Sequence, residues 1–497
     1  MESSGFSVRL AGLVGQARER AAAGEGRVLV SLSERAPSFD SLSALENLYR
    51  SSRADTQLVD QASAGCAYWA HPSEGFAIAA FGAAATFSPR GEGRFSSVDQ
   101  DWRALLDGAL IDDGNASRAG VGPLLIGGFS FDPDGPDTDR WRGFPSAHMI
   151  LPKLHVTSIR DESWITVSVI VEADSAIDVD ALAALRDRFA KSERITPPSS
   201  GDGQSSIRMA DDLAEAEWCG IVSDAVDAIR GGDFRKVVLA RSAHGETPGE
   251  INPFSVLRSL RSTHRHAFIF GYWRESNAFV GASPERLVRL GNGHVSASSL
   301  AGTVRRGATR EDDDALAREL QTSAKDLAEH AVVRDMLCEI LTEVGENVES
   351  DDEPRLLTLS NVHHLHTEVE ADLRAEYSLL DVVDRLHPTP AVGGTPRDAA
   401  LDFIRDNERL DRGWYAAPIG WMDQSGGEFA VALRSGIVTG SEFTIFAGCG
   451  IVADSDPELE YAESVLKLQP MQSAIAASMA GSIVDSRELA LASEESE

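Results

Sequence analysis

Alternating hydrophobic and polar positions mark the first part of the chain. FAIAAFGAAATF from Phe76 and PLLIGGFSF from Pro123 carry the twofold period of strands, while ALAALRDRFAKSE from Ala181 carries the period of a helix. The pattern stops at residues 196–206 (TPPSSGDGQSS), whose Pro, Gly and Ser content predicts a linker. After it the elements become denser. Asp211 and Asp212 are placed to cap a helix on which Trp218, Val222, Ala225 and Ile229 recur at helical spacing, until Gly231 and Gly232 end it. FRKVVLAR follows as a strand, with Lys236, Val238 and Ala240 on one face and Val237, Leu239 and Arg241 on the other. Further strands are expected at HAFIFGYW, NAFVGAS, FAVALRSGIV and FTIFAGCGIV, and helices over 325–344, 379–386, 398–407 and 458–471. The acidic tail 482–497 reads as a frayed end, and no internal repeat or heptad pattern is present. Together these elements predict a mixed α/β or α+β chain, not a simple βαβ alternation.

Composition narrows the class. A length of 497 residues with 42% hydrophobic content suits a packed core in one large or two to three ordinary domains. No run approaches the roughly 18 apolar residues of a membrane span, and no charged lead precedes an apolar run at the start, so a cytoplasmic protein is expected. Cys66, Cys219, Cys338 and Cys449 stand far apart, which fits a reducing compartment. The formal net charge of −32 argues against nucleic acid or anionic membranes as partners, and no exposed heptad calls for a second copy, so a monomer is expected. Lysine is confined to Lys153, Lys191, Lys236, Lys325 and Lys467. A high-salt habitat and a GC-rich genome would both give this skew. Either way, a lysine that falls within a motif stands out.

Several positions carry candidate chemistry. Ser323 to Asp326 has the capping-box form, and Asp326 and Glu329 then lie one turn apart on a helix face. Ser455-Asp456-Pro457 starts another helix with proline at its first position, on which Glu460 and Glu463 repeat the spacing and Lys467 follows. Two helices with paired carboxylates suit a hard cation such as Mg²⁺, although spacing alone also fits solvated faces and caps. Lys236 on its apolar strand is either a side chain snorkelling to water or a desolvated amine able to act as a base. Glu285 in GASPERL suits a general acid or a plain exposed loop residue. AGCG at 447–450 reads as a glycine turn whose N–H groups could cradle a carboxylate. Arg434, in mid-strand, would need a buried anion. His363, His364 and His366 lack nearby completing ligands, so zinc is not expected.

In order along the chain, KVVLAR, GASPERL, SLAGTVRRG, SAKDLAEH, NVHHLHT, HPTPAVGGTPR, LDRGWYAAPIGW, EFAVALRSG and FAGCGIVADSDPELEYAE, followed by Lys467, resemble the chorismate-utilising enzymes. The match runs from about Glu217 to Met471 and is most similar to the menaquinone-pathway isochorismate synthases, whose N-terminal portion PLLIGGFSFDP and WRGFPSAHMILPKL also resemble.

This resemblance implies an α/β fold of α+β type, with antiparallel sheets around one core and helices outside. Residues 1–210 would form the N-terminal portion of that unit, with 196–206 as an insertion, and 211–475 the chorismate-binding catalytic region. It implies Lys236 as the base activating water for attack at C2 of chorismate, and Glu285 as the acid protonating the departing C4 hydroxyl. Glu329 and Glu463 match magnesium ligands, with Asp326 and Glu460 holding metal waters. Arg434, Lys467 and the Gly448–Gly450 backbone would hold the pyruvyl carboxylate, with Thr303, His364 and Tyr415 near the ring. Lysine at 236 implies water rather than ammonia as nucleophile, and Ala301 speaks against aminodeoxychorismate formation. Ala391 and Phe446 fit release of isochorismate; salicylate synthases tend to carry threonine and glutamine there, although they share Tyr415. Salicylate synthase, or a chorismate-binding protein without turnover, are the alternatives.

Overall fold

The computed structural model describes residues 3–54, 65–114, 118–191, 207–358 and 362–494. The expected linker 196–206 lies outside them, as do the side chains of Ala301, Thr303, Lys325, Glu329 and those from 480 on.

Strands rich in β-branched and aromatic residues join in long antiparallel ladders; among the described residues, the pair Val28–Ala36 with Leu110–Asp112 is the parallel exception. One run of neighbours passes through Val28–Ala36, Glu162–Val171, Ala147–Ile159, Phe76–Phe87, Cys66–His71, Phe268–Arg274, Asn277–Ser283, Ser435–Thr439, Glu442–Ile451 and Lys236–Glu246. A second branches from the start of Ala147–Ile159, on the edge whose far end holds Glu162–Val171, through Leu124–Phe129, Pro418–Asp423, Gly426–Val431, Arg286–Gly291 and His294–Arg305 to Val362–Leu373.

The first run is buried on both faces. In Cys66–His71, Ala67 and Trp69 face one hydrophobic cluster, while Cys66, Tyr68 and Ala70 face another. Phe268 and Phe270 alternate with Ile269 in the same way. The first cluster fills the space between the two runs of strands. The second packs under helices Ser3–Arg20, Ser41–Ala54, Val179–Ala190 and Pro253–Thr263 and the body of Pro457–Glu494. Antiparallel sheets with outer helices are therefore present as expected, and the interior is divided into two clusters where one was expected. No helix among the described residues is long and apolar enough to cross a membrane.

Some elements differ from the pattern reading. Asp211 and Asp212 do not cap helix Glu215–Gly231, whose cap position is Ala214. Charged partners claim them instead: Arg241 sits 2.6 Å from Asp211, and Arg140 2.6 Å from Asp212. The last helix does not stop at Met471 but runs to Glu494, so the tail expected to fray from Ser482 is helical as far as Glu494; Ala474, Ile475 and Met479 are buried beyond the expected end. Helices Ser3–Arg20, Ser41–Ala54 and Arg94–Leu106 lie in the portion before the linker, where the pattern marked strands, turns and the one helix from Ala181.

Because Cys66–His71 pairs with Phe268–Arg274 and Leu124–Phe129 with Pro418–Asp423, we propose that the portions before and after the linker fold as one unit. A buried ion pair reinforces the joint. Glu46, fully buried on helix Ser41–Ala54, binds Arg258 and accepts from Asn252 Nδ2 at 2.8 Å, both on or capping helix Pro253–Thr263. Removing one partner leaves the other charge stranded away from water. Glu46→Ala is expected to cost roughly 3–5 kcal/mol, read as a shifted urea midpoint, with Trp fluorescence and far-UV dichroism still melting in one transition. Two separate transitions would contradict the single unit.

Candidate active site

The strand Lys236–Glu246 runs antiparallel to Glu442–Ile451, with Val238 opposite Gly450 and Ala240 opposite Gly448. Val238 N–H donates to Gly393 O at 2.9 Å and Ala240 N–H to Glu408 Oε2 at 2.8 Å, both on the far edge. Their partners Gly450 and Gly448 thus occupy non-hydrogen-bonded positions and turn their own N–H groups away from this ladder. The neighbouring ladder to Ser435–Thr439 ends at Ile445, so these N–H groups lie beyond it. AGCG is therefore part of a strand, not a turn. It still presents backbone donors, because strand pleating rather than a turn aims them. A Cβ on Gly448 would stand 3.1 Å from Leu239 O and 3.2 Å from Tyr415 Oη, tight enough that one of them would have to give.

This floor bounds a cavity of about 250 Å³. Lys236, Glu285, Asp326, His364, Tyr415, Arg434, Gly448, Gly450, Glu460, Glu463 and Lys467 all line it, drawn from elements spread over more than 200 residues. Thr303 sits opposite His364 in the ladder of strands His294–Arg305 and Val362–Leu373, and Glu329 lies on helix Ala324–Val344; their side chains are outside those described. Lys236, Val238 and Ala240 share the cavity face, as the twofold period requires.

Each charged group has a distinct setting. Lys236 is buried at the first position of its strand. Glu285 follows strand Asn277–Ser283, where Ser283 Oγ accepts from its N–H at 3.2 Å and its carbonyl accepts from Val431 N–H at 3.1 Å. Burial pushes its carboxyl up to about 7, against the opposing pull of Lys236, Arg434 and Lys467. Burial, helped by Arg434, drives His364 down to about 3, so its imidazole is neutral. Arg434 is not in mid-strand. The expected FAVALRSGIV strand breaks into Gly426–Val431 and Ser435–Thr439, and Arg434 occupies the break with φ +48°, a conformation unusual for a side-chain-bearing residue and common at functional sites. Lys467 Nζ donates to Gly448 O at 2.9 Å and lies 2.6 Å from Glu463 Oε1 one turn back.

The acids arrive at helix beginnings. Ser323 Oγ accepts from Asp326 N–H at 3.2 Å, and Asp456 Oδ1 accepts from Glu458 N–H at 3.0 Å just before Pro457, as the capping patterns predicted. A first turn favours negative charge, because its N–H groups point outward without helical partners. The ligand atoms of Glu460, Glu463 and Cys449 lie within 4.8 Å of one another. Burial pushes the Cys449 thiol up to about 12, so it offers no thiolate, and the remaining donors, with Asp326 on the same cavity, are carboxylate oxygens. That set fits a hard divalent cation.

Two residues lie within the quoted motifs but were given no role there, Arg412 in LDRGWYAAPIGW and Trp141 at the start of WRGFPSAHMILPKL. Arg412, buried with Glu408, lines the cavity. Trp141, from the N-terminal portion, stacks on Phe446 (5.5 Å, 15°), which stacks on Tyr415 (5.2 Å, 24°). Its Nε1 donates to Asp411 O at 3.0 Å, and no local periodicity links residue 141 to residue 446.

Comparison with known proteins agrees with this geometry. The family described as "Chorismate binding enzyme" matches residues 16–476. The chain is 40% identical to the "Salicylate biosynthesis isochorismate synthase" of Pseudomonas aeruginosa over 426 residues, covering 84% of this chain and 86% of that one. It is 37% identical to "Isochorismate synthase MenF" of Bacillus subtilis over 413 residues, covering 82% and 87%. Its fold matches the menaquinone-specific isochorismate synthase MenF of Escherichia coli with a TM-score of 0.73 at 23% identity, over 93% of this chain and 99% of that one. A family match spanning almost the whole chain, with relatives of this identity and coverage, settles the membership: this chain belongs to the chorismate-binding enzymes.

Proposed function

We propose that this protein is a magnesium-dependent isochorismate synthase, which adds water at C2 of chorismate and expels the C4 hydroxyl. The observation carrying this reading is that Lys236, a base at the start of one strand, and Glu285, an acid just after another, line one cavity together with three further cations, Arg412, Arg434 and Lys467, and three further carboxylates, Asp326, Glu460 and Glu463. In the forward step, the Lys236 amine takes a proton from water as its oxygen bonds to C2. The ring double bonds shift, the C4–O bond breaks, and Glu285 gives its proton to the leaving hydroxyl. One water enters and one leaves, so the product is an isomer; the proton gained by Lys236 and that lost by Glu285 are rebalanced through solvent. A magnesium ion held by Glu329 and Glu463, with Asp326 and Glu460 beside it, would supply charge neutralisation and orientation of the ring carboxylate.

Arg434, Lys467 and the outward N–H groups of Gly448 and Gly450 bind the pyruvyl carboxylate, giving a substrate dianion local positive charge within a protein of net charge −32. Neutral His364 and Tyr415 border the ring. We place the product in menaquinone synthesis, supported by the likeness to the MenF relatives. The name of the Pseudomonas aeruginosa relative assigns salicylate as its destination, so the alternative is salicylate formation.

Incubating the protein with chorismate and Mg²⁺ and resolving the products tests the reaction. Isochorismate alone is expected, while salicylate with pyruvate would sink this reading. Lys236→Ala is expected to lower turnover by about 10²–10⁴-fold with an unchanged dichroism spectrum. Near-normal turnover would mean another base.

Glu285 generates a pH prediction. Its carboxyl is raised from 4.5 to about 7, so between those values the folded protein binds more protons than the unfolded chain, and stability falls as pH rises through that window. Glu285→Gln is therefore expected to gain stability relative to wild type as pH rises from 4.5 past 7, by at most about 3 kcal/mol. Wild-type kcat/KM should fall above about pH 7 as the acid loses its proton, and the variant should lack that limb. Glu463→Gln is expected to raise the Mg²⁺ concentration needed for half-maximal activity by about tenfold or more; an unchanged requirement would exclude Glu463 as a ligand.

A further inference from the structure

The strand that begins with Lys236 lacks a full neighbour on one side. Gly394 and Thr395 pair only with Val237 and Lys236, and Val238 N–H then reaches Gly393 O. The next two backbone groups on that edge, Val238 O and Ala240 N–H, would normally meet another strand. Here two side chains meet them. Arg412 Nη2 donates to Val238 O at 2.7 Å, and Glu408 Oε2 accepts from Ala240 N–H at 2.8 Å. The two are themselves joined, with Arg412 Nε donating to Glu408 Oε1 at 2.6 Å. Arg412 Nη1 donates to Val392 O at 2.8 Å, and Val392 with Ala391 walls the same cavity. The guanidinium lies 4.3 Å from the centre of the Phe131 ring, and both charged side chains are almost wholly buried.

We propose that the Glu408–Arg412 pair is a positioning device for the base, acting as a side-chain substitute for the missing strand. It ties the Lys236 strand to the Ala391–Val392 wall and so fixes where the Lys236 amine points relative to bound substrate. Arg412 acts through Lys236 and takes no part in proton transfer. Four of its five N–H groups donate to protein oxygens, which leaves one Nη1 N–H and no free fork for a bidentate carboxylate. An ion pair this deeply buried is a poor source of stability, since apolar residues of similar volume often replace such pairs without loss. What apolar residues cannot supply is the donor to Val238 O and the acceptor for Ala240 N–H.

That difference supplies the test, which rests on the isochorismate synthase reading. Wild-type turnover of chorismate is measured first in the same assay; its absence would sink the functional reading, whereas the outcomes below bear on the clamp alone. The double variant Glu408→Met with Arg412→Met removes both charges together, and thermal melting checks that it folds. The expected result is a fall in kcat of about tenfold to a hundredfold with KM changed by less than about threefold. A kcat within about twofold of wild type would overturn the proposal, and so would a raised KM at unchanged kcat, which would make Arg412 a substrate ligand. Arg412→Lys, which needs no apolar repacking, is measured beside it. With one ammonium in place of the fork it should show an intermediate kcat at unchanged KM, and full activity there would equally overturn the clamp.

Discussion

The ladder between strands Lys236–Glu246 and Glu442–Ile451 is the constraint on which the rest of the site depends. Antiparallel pairing alternates hydrogen-bonded and open positions, and the register puts Val238 and Ala240 opposite Gly450 and Gly448 at the open ones. Three consequences follow from that single register. Lys236, two residues before Val238, shares its face. The glycine N–H groups turn away from the ladder. The floor stays bare enough for Tyr415 to approach Gly448. A slip of one residue would send Lys236 to the opposite face and replace the glycines with Cys449, so the large apolar clusters that fix the register also fix the chemistry.

Around this floor, one residue type is given two roles by environment alone. Glu285 leaves the end of a buried strand, where nothing but distant cations offsets its lost hydration, and its proton is retained to about pH 7. Asp326 and Glu460 sit in first turns of helices, where unpaired N–H groups favour negative charge. An acid that keeps its proton and acids placed beside outward helix N–H groups can thus face one cavity. The same burial keeps His364 neutral beside Arg434, so the ring-facing wall adds no further positive charge.

Much of this was legible in the sequence wherever the governing interaction is local. Capping patterns located Ser323 and Pro457, and the twofold period put Lys236, Val238 and Ala240 on one face. Strand and helix bounds such as Phe76–Phe87 and Leu379–Leu386 follow directly from periodicity. Legibility fails where partners far along the chain compete with local ones. Asp211 and Asp212 are good caps by type, but Arg241 and Arg140 hold them elsewhere. Arg434 reads as mid-strand because VALRSG alternates well, and only the turn that carries Ala432 O to Ala416 N–H reveals the break. Trp141 reaches Phe446 across the two portions of the chain, a contact with no trace in either segment alone.

The Glu408–Arg412 pair belongs to this last class and explains why the Lys236 edge is finished by side chains. A strand continuing past Gly394 would satisfy Val238 O and Ala240 N–H, but it would lie about 4.8 Å away along the edge now occupied by the Ala391–Val392 wall. It would also bring its own alternating side chains toward the cavity. Two side chains anchored outside the sheet, at the end of helix Arg397–Asn407 and just beyond it, meet the same two backbone groups and leave the wall in place. The sheet edge is thereby closed against water without closing the site, a solution that puts charge in the interior, where Arg412 matches four of its five N–H groups with protein oxygens.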